Sequence, residues 1–294
     1  MTRVLVMGDV MRDIIVRPAG PILRGTDQRA IIQTVSGGSG ANQAAWLARF
    51  GAAVRFIGCV AAEDFEPEVK RMRLHGIEPA LVPHPAFPTG TLVALVDADG
   101  ERSFLTDRGA NDGLSLHHLP DDVLDGIGHF HLSGYSFVGE ATRETALWLL
   151  NRVRESAIPF SFDPGSVSLI REIGAAQVLA WTEGAAICVA NADEAGALTG
   201  FDDPDSQLDG LIGHADLALI KRGARGCQAK SRDGSHWKVD APSVDVLDTT
   251  GAGDVFFAAF LAARLASQSI TLALDRAVAA GAQAVTIIGG WPTV

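Results

Sequence analysis

Short apolar runs, most of them closed by a polar or glycine turn, alternate with helix-like stretches along nearly the whole chain. This rhythm restricts the fold more than any other feature. The run Val4-Leu5-Val6-Met7 stops at Gly8-Asp9, and similar strand-like runs lie at 54–57, 129–132, 159–162, 185–189 and 216–220. Between them, 41–50, 65–75, 140–156, 192–199, 252–267 and 271–286 read as helices. Continuous apolar runs suit strands buried on both faces. Strand–helix alternation predicts an α/β fold: a mostly parallel sheet with helices on both faces.

Two interruptions break the rhythm. The β-rich stretches 14–16 and 31–35 come early, and 91–97 and 102–106 flank Asp99-Gly100, a tight-turn pair. Together they predict a small separate sheet, inserted from about 12–36 and 88–110 into one large domain spanning 1–294. A β-meander is expected over 221–239 around Asp233-Gly234. The sequence shows no internal repeat, low-complexity tract or long linker.

Charge narrows the class of partner. Lys and Arg number 24 against 35 Asp and Glu, a net charge of −11. Phosphate-backbone binding needs clustered cations, so a nucleic-acid partner is not expected. An anionic membrane surface is disfavoured for the same reason. The longest apolar runs are far too short to span a bilayer, and the first residues lack the apolar length of a signal peptide. A cytoplasmic protein is expected. Cys59, Cys188 and Cys227 form no C-x-x-C pair, so buried reduced thiols are expected rather than zinc or disulfides.

Five segments carry chemistry. Asp248-Thr249-Thr250-Gly251-Ala252-Gly253-Asp254 precedes an apolar helix. A helix starting there aims unpaired N–H groups and a positive dipole end at an anion. An Asp in the same place fits a base that takes a hydroxyl proton during phosphoryl transfer; a plain N-cap would not call for this order of Thr and Gly. Gly37-Gly38-Ser39-Gly40-Ala41-Asn42 is a second glycine-rich helix start, with Asn42 placed to meet a hydroxylated ligand. Asn191-Ala192-Asp193-Glu194 opens a helix at a strand's carboxyl end, where open α/β sheets bind ligands. There Glu194 suits a Mg²⁺ water shell, and a capping arrangement is the other reading. Lys221-Arg222-Gly223-Ala224-Arg225-Gly226 is a basic turn suited to a polyphosphate or to solvent. Asp9 and Asp13 follow the first strand and suit sugar hydroxyls, or a charged loop. No Walker A sequence, dinucleotide fingerprint or G-x-S-x-G elbow occurs. The His117-His118 pair reads as surface; His129 and His131 read as core.

These residues resemble one family over essentially the whole chain, the ribokinase-like carbohydrate kinases of the phosphofructokinase-B type. Gly37 to Ala45 resembles its N-terminal Gly-Gly signature and Asp248 to Asp254 its specific C-terminal signature. Asn191 to Glu194 matches its Asn-x-x-Glu motif, and Asp107 to Asn111 resembles the return from lid to main domain. The resemblance implies a Rossmann-like domain with a β lid, and transfer of the ATP γ-phosphoryl group to a sugar hydroxyl. It implies Asp254 as base and Gly251, Ala252 and Gly253 as anion hole. Asp13, Gly38, Ser39, Asn42 and Arg108 become sugar contacts. Asn191, Lys221, Gly223, Gly226, Thr249, Gly251 and Gly253 become nucleotide contacts. Glu194 would reach Mg²⁺ through water, and Asp248 and Thr250 would touch a monovalent cation such as K⁺. Ser39 departs from the Lys of ribokinases proper, Met11 from their Asn, and Asp163-Pro164-Gly165 lacks the Asn and Arg of many hexose and ketogluconate kinases. The acceptor is therefore left open among pentose, hexose, sugar acid and nucleoside; a nucleoside would stack on Phe104 or Phe87. A nucleoside kinase and a non-catalytic sugar-binding regulator are the alternatives. A homodimer through the lid is expected from Ile31 and Ile32.

Overall fold

A computed structural model describes residues 2–97, 102–287 and 289–293. The Asp99-Gly100 turn lies outside the described residues. In chain order the strands are β1 (Arg3–Met7), β2 (Met11–Pro18), β3 (Ala30–Gly37), β4 (Ala53–Ala61), β5 (Ile77–His84), β6 (Gly90–Val96), β7 (Arg102–Asp107), β8 (Ile127–Ser133), β9 (Phe160–Asp163), β10 (Ala185–Asn191), β11 (Ala215–Lys221), β12 (Cys227–Ser231) and β13 (His236–Val239). The helices are α1 (Ser39–Arg49), α2 (Phe65–Leu74), α3 (Glu140–Glu155), α4 (Val167–Ile173), α5 (Ala175–Trp181), α6 (Ala192–Thr199), α7 (Pro204–Ile212), α8 (Ala252–Leu265) and α9 (Ile270–Ala284).

The large sheet runs β13-β12-β11-β10-β9-β8-β1-β4-β5. It is parallel from β5 to β11, with β12 and β13 added antiparallel. Successive side chains of one strand point to opposite faces, so β1 splits between two cores. Val4 and Val6 pack with Phe257 and Phe260 of α8 and with Leu274 of α9. Leu5 and Met7 pack with Leu149 and Leu150 of α3 and, farther along, with helices α4 to α7. Most helices hide one apolar stripe, α8 is buried nearly all round from Val255 to Leu261, and the sheet hides both faces.

The small sheet runs β3-β2-β6-β7, built from two separated lengths of chain. β2 leaves β1 after only three residues, which ties this sheet to the strand ends of the large one. Asn111 secures the junction: its side chain accepts from the Val10 N–H at 2.8 Å and donates to the Val10 carbonyl at 2.9 Å.

Four elements escaped the sequence pattern for identifiable reasons. β5 contains Pro79 and Pro83, which remove ladder donors; it is tolerated because it forms the sheet edge. Helices α4 and α5 have seven residues each, too few to show a period. Helix α7 did carry a start signal, since Asp203 caps it and Pro204 opens it. All three cysteines are buried thiols. His129 and His131 are core residues that share Ser161 Oγ at 2.9 Å each, and His131 reaches Gln43 at 2.8 Å. Burial holds both imidazoles neutral, His129 down to about 4. No helix among the described residues is long and apolar enough to cross a membrane.

Candidate active site

The carboxyl ends of β1, β9, β10 and β11 lie along one rim of the large sheet and carry Asp9, Asp163, Asn191 and Lys221. The strand order reverses at β1, where an open α/β sheet leaves a crevice. Two helix starts face that rim. Gly38 precedes α1 with φ of 94°, a left-handed conformation forced by closeness: an added Cβ would lie 2.4 Å from the Asp9 carbonyl oxygen. Gly251 precedes α8 with φ of 74°.

Two adjoining cavities open here. One, of about 390 Å³, has apolar walls that include Val244, Val246, Phe256 and Val278. The other, of about 500 Å³, holds Asp163, Asn191, Glu194, Asp254, Tyr135 and Phe104. Lys221, Gly223, Thr249 and Gly253 line both and mark the passage between them. Gly226 and Ala252 line only the apolar cavity, Ser39 and Gly251 only the polar one.

Asp254 lies in the first turn of α8 and both its oxygens are engaged. Ser39 Oγ donates to Oδ1 at 2.7 Å, and Asn42 Nδ2 donates to Oδ2 at 2.9 Å. The structure thus ties Ser39 and Asn42, expected on the sugar, directly to the expected base. Withdrawal from water raises the Asp254 carboxyl to about 7 against the pull of these two donors. Of the expected anion-hole N–H groups, Ala252 closes a turn on the Thr249 carbonyl at 3.3 Å. The first turn of a helix leaves its N–H groups without intrahelical partners, and Gly253 follows in that turn.

Lys221 donates to Asp163 Oδ2 at 2.9 Å. Burial works against its charge, but Asp163, Glu194 and Asp254 outweigh it and keep the ammonium protonated. Asp163 went unassigned in the sequence; its place at a strand's carboxyl end was the available signal. Asn191 and Glu194 form a reciprocal capping box: Asn191 Oδ1 accepts from the Glu194 N–H at 2.8 Å, and Glu194 Oε2 from the Asn191 N–H at 2.7 Å. The capping reading is therefore realised, and both side chains still line the polar cavity. Burial lifts Glu194 to about 7, opposed by Lys221. No cluster of three metal-binding side chains occurs among the described residues. This donor set fits a Mg²⁺ that keeps its waters and its phosphate ligands, with Glu194 and Asp163 nearby.

Asp13 sits on β2, 6 % exposed, with Oδ1 lacking any hydrogen-bond partner. Burial, then Asp9 and Asp248, lift it to about 7. Asp248 accepts from the Thr250 N–H at 2.8 Å and the Gly289 N–H at 3.2 Å, so its carboxylate braces the loops where a cation was expected. Arg108 bonds Asp112 at 2.7 Å and the Tyr135 carbonyl at 3.0 Å, and does not line the polar cavity. Of the two candidate aromatics, Phe104 lines that cavity, whereas Phe87 stacks on His84.

Comparison with known proteins gives the class. The pfkB family carbohydrate kinase model matches residues 1–291, and the chain belongs to that family. It is a carbohydrate kinase of mixed α/β fold with a smaller second sheet. Among its relatives are the aminoimidazole riboside kinase of Salmonella typhimurium, 29 % identical over 98 % of this chain and 91 % of that one, and fructokinase-1 of Zea mays, 28 % identical over 88 % and 81 %. A solved ribokinase of Arabidopsis thaliana, complexed with ribose and ATP, superposes with a TM-score of 0.81 at 24 % identity, covering 99 % of this chain and 96 % of that one.

Proposed function

We propose that this protein transfers the ATP γ-phosphoryl group to a hydroxyl of a sugar or sugar-like acceptor, with Asp254 as general base. The carrying observation is Asp254 itself, held by two donors at the start of α8 in the polar cavity. The apolar cavity suits a nucleobase, and the shared residues Lys221, Gly223, Thr249 and Gly253 suit the phosphates. Gly223 and Gly226 let backbone approach the nucleotide. Mg²⁺, when bound with ATP, neutralises phosphate charge; Glu194, reached through water, and Asp163 would hold it.

The proton path uses this chain's own groups. The acceptor lies between the small sheet, acting as a lid, and the rim, where Asp13, Gly38 and Asn42 meet its hydroxyls. Asp13 Oδ1 and Asn42 Oδ1 are both buried and unpartnered, which suits hydroxyl donors. Asp254 accepts the attacking hydroxyl's proton. N–H groups at Gly251 to Gly253 and the Lys221 ammonium stabilise charge on the transferring group. Closure of the lid excludes the water that would otherwise take the phosphoryl group. Phe104 facing the polar cavity favours a second acceptor class, nucleosides, whose base it would stack against. ADP release from Mg-ATP, measured against neutral pentoses, hexoses, sugar acids and nucleosides, is expected to show one strong, acceptor-dependent rate. Equal, acceptor-independent ADP release across the panel would overturn the reading.

The lid also supports pairing with a second copy. Ile31 and Ile32 on β3 are each 63 % exposed, and Leu105 on β7 is 62 % exposed. Adjacent residues of a strand face opposite ways, so β3 presents apolar surface on both sides. Sedimentation velocity is expected to show a dimer that Ile31→Lys with Ile32→Lys converts to monomer. A monomer at every concentration would refute the pairing.

A further inference from the structure

Ser39 stands where ribokinases proper resemble this chain but carry Lys, and it touches the reactive carboxylate rather than open solvent. We infer that Ser39 is a positioning residue: together with Asn42 it fixes the plane and rotation of the Asp254 carboxylate for the attacking hydroxyl. The inference rests on the reading of Asp254 as the base.

The terminal torsion of an Asp side chain is broad, so a single hydrogen bond leaves the carboxylate free to turn. Here the two donors bind opposite oxygens. Ser39 and Asn42 are three apart on the first turn of α1, so they lie on one face of the helix. That turn is itself pinned. The Ala41 N–H donates to the Asp9 carbonyl at 3.2 Å, and the Gly40 N–H to Asp9 Oδ1 at 3.2 Å. Asn42 is backed by Gly290, where an added Cβ would lie 2.6 Å from Nδ2. Each carboxylate oxygen has two lone pairs, so one donor apiece leaves room for the acceptor's hydroxyl. The clamp orients the base without blocking it. The charged and titratable groups that also face Asp254 are Asp163 at the end of β9, Lys221 at the end of β11 and Tyr135 after β8. None of them bonds its oxygens.

Ser39→Ala removes one anchor and leaves those neighbours in place; Ser39→Thr restores a hydroxyl. In the full-length protein, Ser39→Ala is expected to lower kcat roughly tenfold or more while the acceptor KM changes by less than about threefold. The acidic limb of its kcat–pH profile is expected to move up by roughly one unit, because a hydrogen bond to the charged form is lost. Ser39→Thr is expected to recover most of both. A rise in acceptor KM with unchanged kcat and unchanged limb would make Ser39 a sugar contact and overturn the inference. A second readout needs no turnover. With ¹³C-carboxyl-labelled Asp, the Asp254 signal is the one lost in Asp254→Asn. Its titration midpoint is expected to rise in Ser39→Ala, and an unmoved midpoint refutes the clamp. A wild-type protein that transfers phosphate to no acceptor defeats the kinase mechanism but leaves this second result decisive for Ser39.

Discussion

Asp254→Asn is expected to lower kcat by about 10³-fold, the range general-base catalysis contributes, with little change in acceptor or nucleotide KM. The substitution keeps the size of the side chain and one acceptor oxygen. Ser39 has a rotatable hydroxyl that donates or accepts, so it adapts to an amide. With its NH2 toward Ser39 Oγ, the amide turns its oxygen to Asn42 Nδ2, so both contacts persist as weaker neutral hydrogen bonds, a loss that relief of a buried carboxylate offsets. Thermal stability is therefore expected to stay close to wild type. Because the Asp254 carboxyl is raised to about 7, wild-type turnover should climb as pH rises through 7, when the base becomes ionised. Stopped-flow or coupled ADP assays across pH 5.5–9 read both effects. Near-wild-type kcat in the variant would remove Asp254 from the chemistry.

Asp13→Asn is expected to make the protein more stable and less able to bind its acceptor. Asp13 is a carboxylate held away from water beside Asp9 and Asp248, with one oxygen unpartnered. Burial of such a charge costs free energy that function alone repays. The sign follows from the raised folded value. A carboxyl lifted from 3.8 to about 7 gives its stability below 4 and loses it as pH rises through 7. Replacing it by a neutral isostere should open a gap of roughly 2 kcal/mol between variant and wild type at pH 8. That gap should shrink toward zero near pH 4.5. Urea midpoints at pH 4.5, 6 and 8 test this, and a gap independent of pH would show that the carboxylate is not the source. The acceptor KM is expected to rise at least about tenfold, since a charged acceptor of hydroxyl protons has become a weaker neutral one.

Residues near one another in sequence were legible before any coordinates. The strand at 4–7, the helix at 192–199 and the capping pair Asn191 and Glu194 all express spacings of three, four or a continuous apolar run. The helix at α8 was announced by its Gly-rich entry, and Asp254 by its place in that entry. The site's couplings were not legible, because they join distant positions. Ser39 and Asn42 meet Asp254 across 215 and 212 residues, and Lys221 meets Asp163 across 58. Local patterns carry no record of such pairs; the parallel sheet order creates them. Ser39 looked like a departure from a sugar-binding pattern and is hydrogen-bonded to the Asp254 carboxylate. Arg108 was expected on the sugar; in the structure its side chain bonds Asp112 and the Tyr135 carbonyl. Edge strand β5 was hidden by its own prolines, which its edge position tolerates.

The most direct test of the central claim follows the phosphoryl group itself. The protein would be given Mg-ATP carrying ¹⁸O on its γ-phosphoryl oxygens, together with the acceptor that most stimulates ADP release. Mass spectrometry of the products should find the labelled phosphoryl group on the acceptor, bonded through the acceptor's own unlabelled hydroxyl oxygen. The same product should be nearly absent with Asp254→Asn. Label recovered only as inorganic phosphate, or label on the acceptor at equal rates in both proteins, would contradict the account.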